Sequence, residues 1–325
     1  MKYNWYACEL HCHTMHSDGV FTPEELIRTA KKRMLDGIAL TDHNTMSAVP
    51  FAEKCGELEE IALLPGMELT TFYGHCPVLK PKAYVEWRDL NYTDGDILVQ
   101  RAKNAGALVG IAHPFQLGTP ICTGGHWDYI VKDMSKVDYV EIWSEGCPFL
   151  NSSNRRAISL WHTYLDNGLH ITPTMGRDWH RPDGNIYPAA CTYLASCSSK
   201  LKAEDMLRAV KEGRTVISQG PCFTVEDENG NTVGDTVKQG MHTFTFKADY
   251  CRSDELNRDT PIMCRKIKVI TDTERIFAEF DVEDKFTEFT AELCLNPHSW
   301  YSFELWGSIG EKNNELIAVT AAVFT

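Results

Sequence analysis

Histidine and carboxylate residues recur at the ends of short apolar runs through the first 180 residues. They are His11-Cys12-His13, Asp18, Thr41-Asp42-His43, Glu68, His75, His113 and Asp178-Trp179-His180. Helical patterns separate the runs, so strand and helix alternate. The fold must therefore bring the ends of successive strands together, as a parallel sheet covered by helices does. Imidazole and carboxylate groups gathered at one point bind divalent cations, and two or three such cations form a hydrolytic centre.

The sequence predicts strands at Tyr6–His13, Gly37–Thr41, Ile61–Leu64, Met67–Thr70, His75–Leu79, Ala107–Ala112, Tyr139–Trp143 and Leu169–Thr174. Thr22-Pro23-Glu24-Glu25 opens a helix, with Thr22 as N-cap, Pro in the first turn and acids at the positive end of the dipole. Further helices are expected at Ser47–Cys55, Asp94–Ala105 and Ser153–Asn167. About seven strand–helix units imply a closed barrel, whose functional groups collect at the C-terminal ends of its strands. After residue 214 the pattern changes to short alternating strands separated by turns such as Asp227-Glu228-Asn229-Gly230-Asn231. This reads as an antiparallel β-sandwich. The expected division is a barrel over 1–214 and a sandwich over 215–325.

Charge and cysteine usage narrow the function classes. With 32 Lys+Arg against 45 Asp+Glu the net charge is −13, which argues against gripping a nucleic acid duplex by its backbone. No apolar run reaches the roughly 18 residues of a membrane span. The twelve cysteines include no Cys-x-x-Cys, and no signal-peptide pattern precedes the first strand, so a cytoplasmic protein with reduced thiols is expected.

The spacing also assigns ligands. Alternate side chains on a strand face the same way, about 6–7 Å apart, so His11 and His13 can converge on one cation, as can Asp178 and His180. Asp42 and His43 are adjacent; His43 is taken as the ligand and Asp42 as the group that orients it. Glu68 suits a bridging carboxylate, since its two oxygens can span cations about 3.5–4 Å apart. His16, His126, His162, His170, His242 and His298 lack partners at ligand spacing.

These motifs resemble those of the polymerase and histidinol phosphatase (PHP) superfamily of metal-dependent phosphoesterases, and the nearest group looks like the CehA/McbA-type metallohydrolases. His11 through Gly19 is similar to the opening motif, Leu40-Thr41-Asp42-His43-Asn44 to the second and Pro65-Gly66-Met67-Glu68 to the bridging glutamate. Ile111-Ala112-His113-Pro114 and Gly176-Arg177-Asp178-Trp179-His180 resemble the last two. The resemblance implies a distorted (β/α)7 TIM-like PHP barrel holding two or three divalent ions (Zn, Mn or Fe). His11, His13, Glu68 and Asp178 would bind the first, Asp18, His43 and His180 the second, and Glu68, His75 and His113 the third. Where the family often has a small residue before the final Asp, this chain has Arg177.

The expected reaction is hydrolysis of a small phosphomonoester or phosphodiester by a hydroxide bridging two cations, with Asp18 or His180 passing a proton to the leaving group. Arg155, at the start of a helix, and Arg177 are candidate substrate contacts. Trp143, Trp179 and Phe115 could wall a pocket. Cys76 and Cys147 are better read as structural than as nucleophiles. Two alternatives stand: carboxylic ester or carbamate hydrolysis at the same site, and a metal-stabilised scaffold whose β-sandwich binds a ligand or partner.

Overall fold

The computed structural model describes residues 2–118, 124–145, 151–182 and 190–325. β1 (Asn4–Cys12), β2 (Gly37–Leu40) and the first half of β3 (Ala62–Thr71) pair in parallel, joined by α1 (Pro23–Lys32) and α2 (Val49–Glu59). α1 starts where the sequence places it. Thr22 Oγ1 accepts the Glu25 N–H at 3.1 Å, and Glu25 Oε2 accepts the Thr22 N–H at 2.9 Å, a reciprocal capping box.

The next strand departs from the expected parallel order. β4 (Gly74–Leu79) is antiparallel to β3, and it is also antiparallel to β5 (Leu108–Ile111), which follows α3 (Gly95–Asn104). Only Phe72 and Tyr73 link β3 to β4, and a parallel partner needs a crossover of a dozen residues or more. The two strands expected on either side of Pro65-Gly66 are one continuous β3. It changes partner there, pairing with β2 up to Pro65 and with β4 from Gly66 onward.

Parallel order resumes with β6 (Tyr139–Ser144), α4 (Ser152–Asp166) and β7 (Thr172–Gly176). The path then returns to its first strand. Trp179 bridges Cys12 in parallel, its N–H donating to His11 O and its carbonyl accepting from His13 N, both at 3.0 Å.

β8 (Cys191–Ser196) lies antiparallel to the first half of β1. After α5 (Ala203–Lys211), β9 (Thr215–Ser218) pairs with β8. The remaining strands are β10 (Cys222–Asp227), β11 (Gly240–Asp249), β12 (Ile262–Thr271), β13 (Arg275–Asp281), β14 (Glu288–Leu295), β15 (Trp300–Ile309), β16 (Lys312–Thr320) and β17 (Val323–Phe324). A short α6 (Cys251–Leu256) follows β11. One sheet runs β13-β12-β15-β16 and continues through β9 into β8 and β1, while β10-β11-β14 form a second. Phe303 of β15 meets Phe244 and Phe246 of β11 with ring centroids 5.4 and 5.3 Å apart, so the two sheets pack face to face. Among the described residues, no helix is long and apolar enough to cross a membrane.

Phe303 is fully buried at that contact. Phe303→Ala is expected to destabilise the protein by about 3–5 kcal/mol in urea unfolding followed by tryptophan fluorescence. A loss below about 1 kcal/mol would show that the sheets do not depend on this contact.

Candidate metal centre

His11 is the penultimate residue of β1 and His13 lies just beyond its end, on the same side of the strand as alternation requires. The chain then turns through Thr14–Gly19 to present Asp18. Asp42 holds this turn, and it does not orient His43 as the sequence reading expects. The Asp42 carboxylate accepts from Thr14 N–H at 2.6 Å, Thr14 Oγ1 at 2.7 Å and Ser17 Oγ at 2.7 Å. Gly19 closes the turn where a Cβ would stand 2.5 Å from His13 O. His43 extends β2 alongside β3. There Asn44 N–H donates to Glu68 O at 2.9 Å, and the Asn44 side chain pairs with the Thr70 backbone.

Glu68 points inward from β3 and His75 from the start of β4; both are buried. His113 follows β5 at φ 27°, and Asp178 follows β7 at φ 52°. Left-handed backbone at two non-glycine residues is strain that the surroundings must hold in place, and such strain clusters at functional sites.

The ligand atoms collect into three overlapping groups: His13, Asp18, His43 and His180; His11, His13, Glu68 and Asp178; and Glu68, His75 and His113. Within each group they lie within 4.8 Å of one another. His11 Nε2 is 3.3 Å from Glu68 Oε1 and 3.5 Å from Asp178 Oδ1, and His13 Nε2 is 3.0 Å from Asp178 Oδ1. His180 Nε2 and His43 Nε2 stand 3.0 and 3.3 Å from Asp18 Oδ1.

Divalent cations fit this donor set. His11 Nε2, both His13 nitrogens, His75 Nε2, Glu68 Oε2 and Asp178 Oδ1 are buried and make no well-aligned hydrogen bond, though several crowd one another or His43. Orphaned polar atoms of this kind are costly unless something binds them. The outer nitrogens are tied down: His113 Nδ1 donates to Gly125 O at 3.1 Å and His180 Nδ1 to Asp178 O at 2.7 Å. A carbonyl only accepts, so each Nδ1 carries a proton and Nε2 is the nitrogen left facing the centre, where a cation would take the place of its proton.

Charge is divided sharply. Burial pushes the Glu68 carboxyl up, but the His11 and His75 charges outweigh it and hold it well below its ordinary range. Asp178 is lowered likewise, with His11 and His13 overcoming burial, and Asp18 is lowered by His180 and His43. Burial lowers His43 and His113, yet hydrogen bonds to Asp18 and Glu68 raise the first to about 10, and Glu68 raises the second to about 9. His13, present in two groups, is lowered because burial dominates, so it stays neutral.

The other candidates lie elsewhere. Arg177 is buried with its guanidinium 5.4 Å from the Trp179 ring centroid, and its charge acts on Glu9. Arg155 lines a cleft of about 400 Å³ between α4 and the β12–β15–β16 face, shared with Trp143 and Trp306. Trp179 packs into the core against Phe21, and Phe115 carries Arg156 on its ring at 4.2 Å. Cys76 is fully buried and its thiol is pushed up by burial, as suits a packing role. Cys147 lies outside the described residues.

Two buried acids went unnoticed in the sequence. Glu9 Oε1 accepts from the backbone N–H of His11 at 3.0 Å and of Arg177 at 2.9 Å, fastening β1 to the segment after β7. Glu141 contacts His11 Nδ1 at 2.8 Å. The signal for both was a lone carboxylate inside an otherwise apolar strand.

The PHP domain model matches residues 9–145. Over 67 residues, 20% of the chain, the sequence is 39% identical to the 5'-3' exoribonuclease Rnm of Salmonella typhimurium, covering 23% of that protein. Over 65 residues, 19% of the chain, it is 45% identical to an error-prone DNA polymerase of Mycobacterium tuberculosis, covering 6% of that protein. The chain thus spans less than a quarter of the length of these curated relatives. A two-domain protein from Bacteroides vulgatus, described as containing a predicted PHP-like metal-dependent phosphoesterase, superposes with TM-score 0.57. The superposition covers 99% of this chain and 96% of that one at 17% identity, so the two share a fold.

The pKa pattern fixes a pH dependence for the metal-free protein. The raised His43 and His113 contribute stability that is fully present below the ordinary imidazole value of about 6.5 and is lost as pH rises through about 9 to 10. The depressed carboxylates contribute stability present above about pH 4 and lost on acidification. Urea unfolding of chelator-treated protein should therefore show its greatest stability between roughly pH 5 and 7, falling toward pH 10. A profile that is level from pH 6 to 10 would contradict these assignments.

Proposed function

We propose that the chain is a metal-dependent hydrolase of small phosphomonoesters or phosphodiesters. Its ligand sets are those in the sequence analysis, on a distorted (β/α)7 barrel formed by residues 1–214, with residues 215–325 as the antiparallel β domain. The observation that carries this reading is the convergence of three ligand groups sharing His13 and Glu68, with their inward atoms lacking other partners. Bound there, divalent cations supply electrophilic charge and lower the pKa of water toward neutrality. The chain supplies the geometry. Glu68 belongs to two groups and holds their spacing, and His13 offers a neutral imidazole to two.

Asp18 and His180 lie at the solvent side, where a leaving group departs; their side chains are 59% and 23% exposed. Asp18 is held ionised, so it orients and accepts. His180, 3.0 Å from Asp18 Oδ1, is the other candidate to pass a proton to the leaving group. The net charge of −13 favours a small ester over a polynucleotide gripped along its backbone, although a relative is named an exoribonuclease. Carboxylic ester or carbamate hydrolysis is the second reading. The placement of Arg177 beside Glu9, and of Arg155 in the α4 cleft, favours it, because neither supplies an obvious phosphate clamp.

The test counts metal per chain on purified protein and assays aryl phosphate mono- and diesters and an aryl carbamate with added Mn²⁺ or Zn²⁺. Two or more ions with metal-dependent phosphate release are expected. His13→Ala should lose more than the roughly 10–100-fold typical of groups that only orient ligands, while keeping its circular dichroism spectrum. Carbamate turnover alone would select the second reading. Less than one ion per chain, with no turnover after reconstitution, would remove the catalytic assignment.

A further inference from the structure

Glu141 lies mid-strand in β6, within Tyr139-Val140-Glu141-Ile142-Trp143, and is 2% exposed. A carboxylate so placed destabilises the fold unless its oxygens are engaged. Both are. Oε1 is 2.8 Å from His11 Nδ1, and Oε2 accepts the His113 N–H at 3.0 Å. His11 belongs to the group with His13, Glu68 and Asp178, and His113 to the group with Glu68 and His75. We propose that Glu141 is a positioning residue that couples these two groups, setting the His11 imidazole and the His113 backbone together. The proposal rests on the metal reading above.

Three features support it. Glu141 Oε1 takes up His11 Nδ1 at 2.8 Å, which leaves Nε2 as the nitrogen turned toward Glu68 and Asp178. The second contact holds a backbone at φ 27°, which a non-glycine residue adopts only under restraint. The third feature is room for the carboxylate. Gly176, at the end of β7, is where a Cβ would stand 2.3 Å from Glu141 Oε1 and 2.6 Å from His11 Cβ. A side chain at 176 would push Glu141 and His11 apart.

The experiment is Zn²⁺ titration of the chelator-treated full chain against a competing fluorescent chelator, for wild type, Glu141→Gln and Glu141→Ala. Glutamine keeps the size but has one accepting oxygen, so it cannot serve both contacts. Two binding steps should weaken by roughly 10–100-fold in both variants, while the step at Asp18, His43 and His180 stays unchanged. Circular dichroism of the zinc-free variants should match wild type. Wild-type Zn²⁺ affinity in folded Glu141→Gln would overturn the proposal and leave the metal reading standing. A wild type that takes up no Zn²⁺ would remove both. Should the variants fail to fold, ¹⁵N chemical shifts of zinc-loaded wild type decide. A protonated His11 Nδ1 with zinc on Nε2 supports the coupling role, and zinc on Nδ1 or an unprotonated Nδ1 overturns it.

Discussion

Glu68 is fully buried, with nitrogens of five imidazoles close to its two oxygens: His43 at 2.7 Å, His75 at 3.0 Å, His11 at 3.3 Å, His113 at 3.4 Å and His13 at 3.5 Å. Removing a carboxylate from water costs several kcal/mol even after the protein relaxes, so such a group persists only where opposite charge surrounds it closely. Protonated imidazoles or bound cations meet that need, and they compete for the same nitrogens. The first 180 residues are arranged so that the ends of four strands, β1, β2, β4 and β5, bring imidazoles to one carboxylate.

That requirement explains the irregular parts of the sheet. Parallel strands deliver their last residues to the shared edge. An antiparallel strand delivers its first, and so His75 arrives from the start of β4. The register places Thr70 opposite His75 and Glu68 two residues back, close enough for Glu68 Oε1 to meet His75 Nδ1. β3 serves both arrangements by changing partner at Pro65-Gly66. A Cβ at Gly66 would press within 3.1–3.2 Å of Thr41, Val78 and Leu40 atoms, so the crossing strands leave little room for a side chain. The left-handed backbones at His113 and Asp178 turn ligands inward just where their strands end.

The residues that gather at the candidate centre were legible in the sequence because metal chemistry favours few residue types, and strand ends confine their spacing. His11, His13, Asp18, His43, Glu68, His75, His113, Asp178 and His180 all lie in the three groups that could hold a cation. Strand direction was less legible. An apolar run such as His75–Leu79 reads the same parallel or antiparallel, and only the two-residue link before it distinguishes them. β16 carries no strand signal of its own, since it opens with Lys312-Asn313-Asn314-Glu315 and shows no alternation. Pairing with β15 and β9 holds it, and local propensity does not reveal pairing. Asp42, Glu9 and Glu141 were misjudged or missed because each has a partner distant in sequence: Thr14 for Asp42, Arg177 for Glu9 and His11 for Glu141. A carboxylate's hydrogen bonds to Thr14 or to His113 leave no trace in its neighbours.

The same sheet that builds the centre also ties it to the C-terminal half. β1 divides its edge: residues 4–8 pair with β8, and Cys12 pairs with Trp179. β8 pairs with β9, and β9 with β16, so the strand carrying His11 is continuous by hydrogen bonds with the second half of the chain. Arg214, just before β9, adds a bidentate pair to Asp235 at 2.7 and 3.0 Å, and a bond to Val233 O at 2.9 Å. A half-buried bidentate pair is directional as well as attractive, so it fixes the angle at which the chain crosses between halves. β1 is held along one edge by β2, and along the other by strands that depend on the C-terminal sheet. The position of His11 and His13 therefore depends on strands from both halves of the chain.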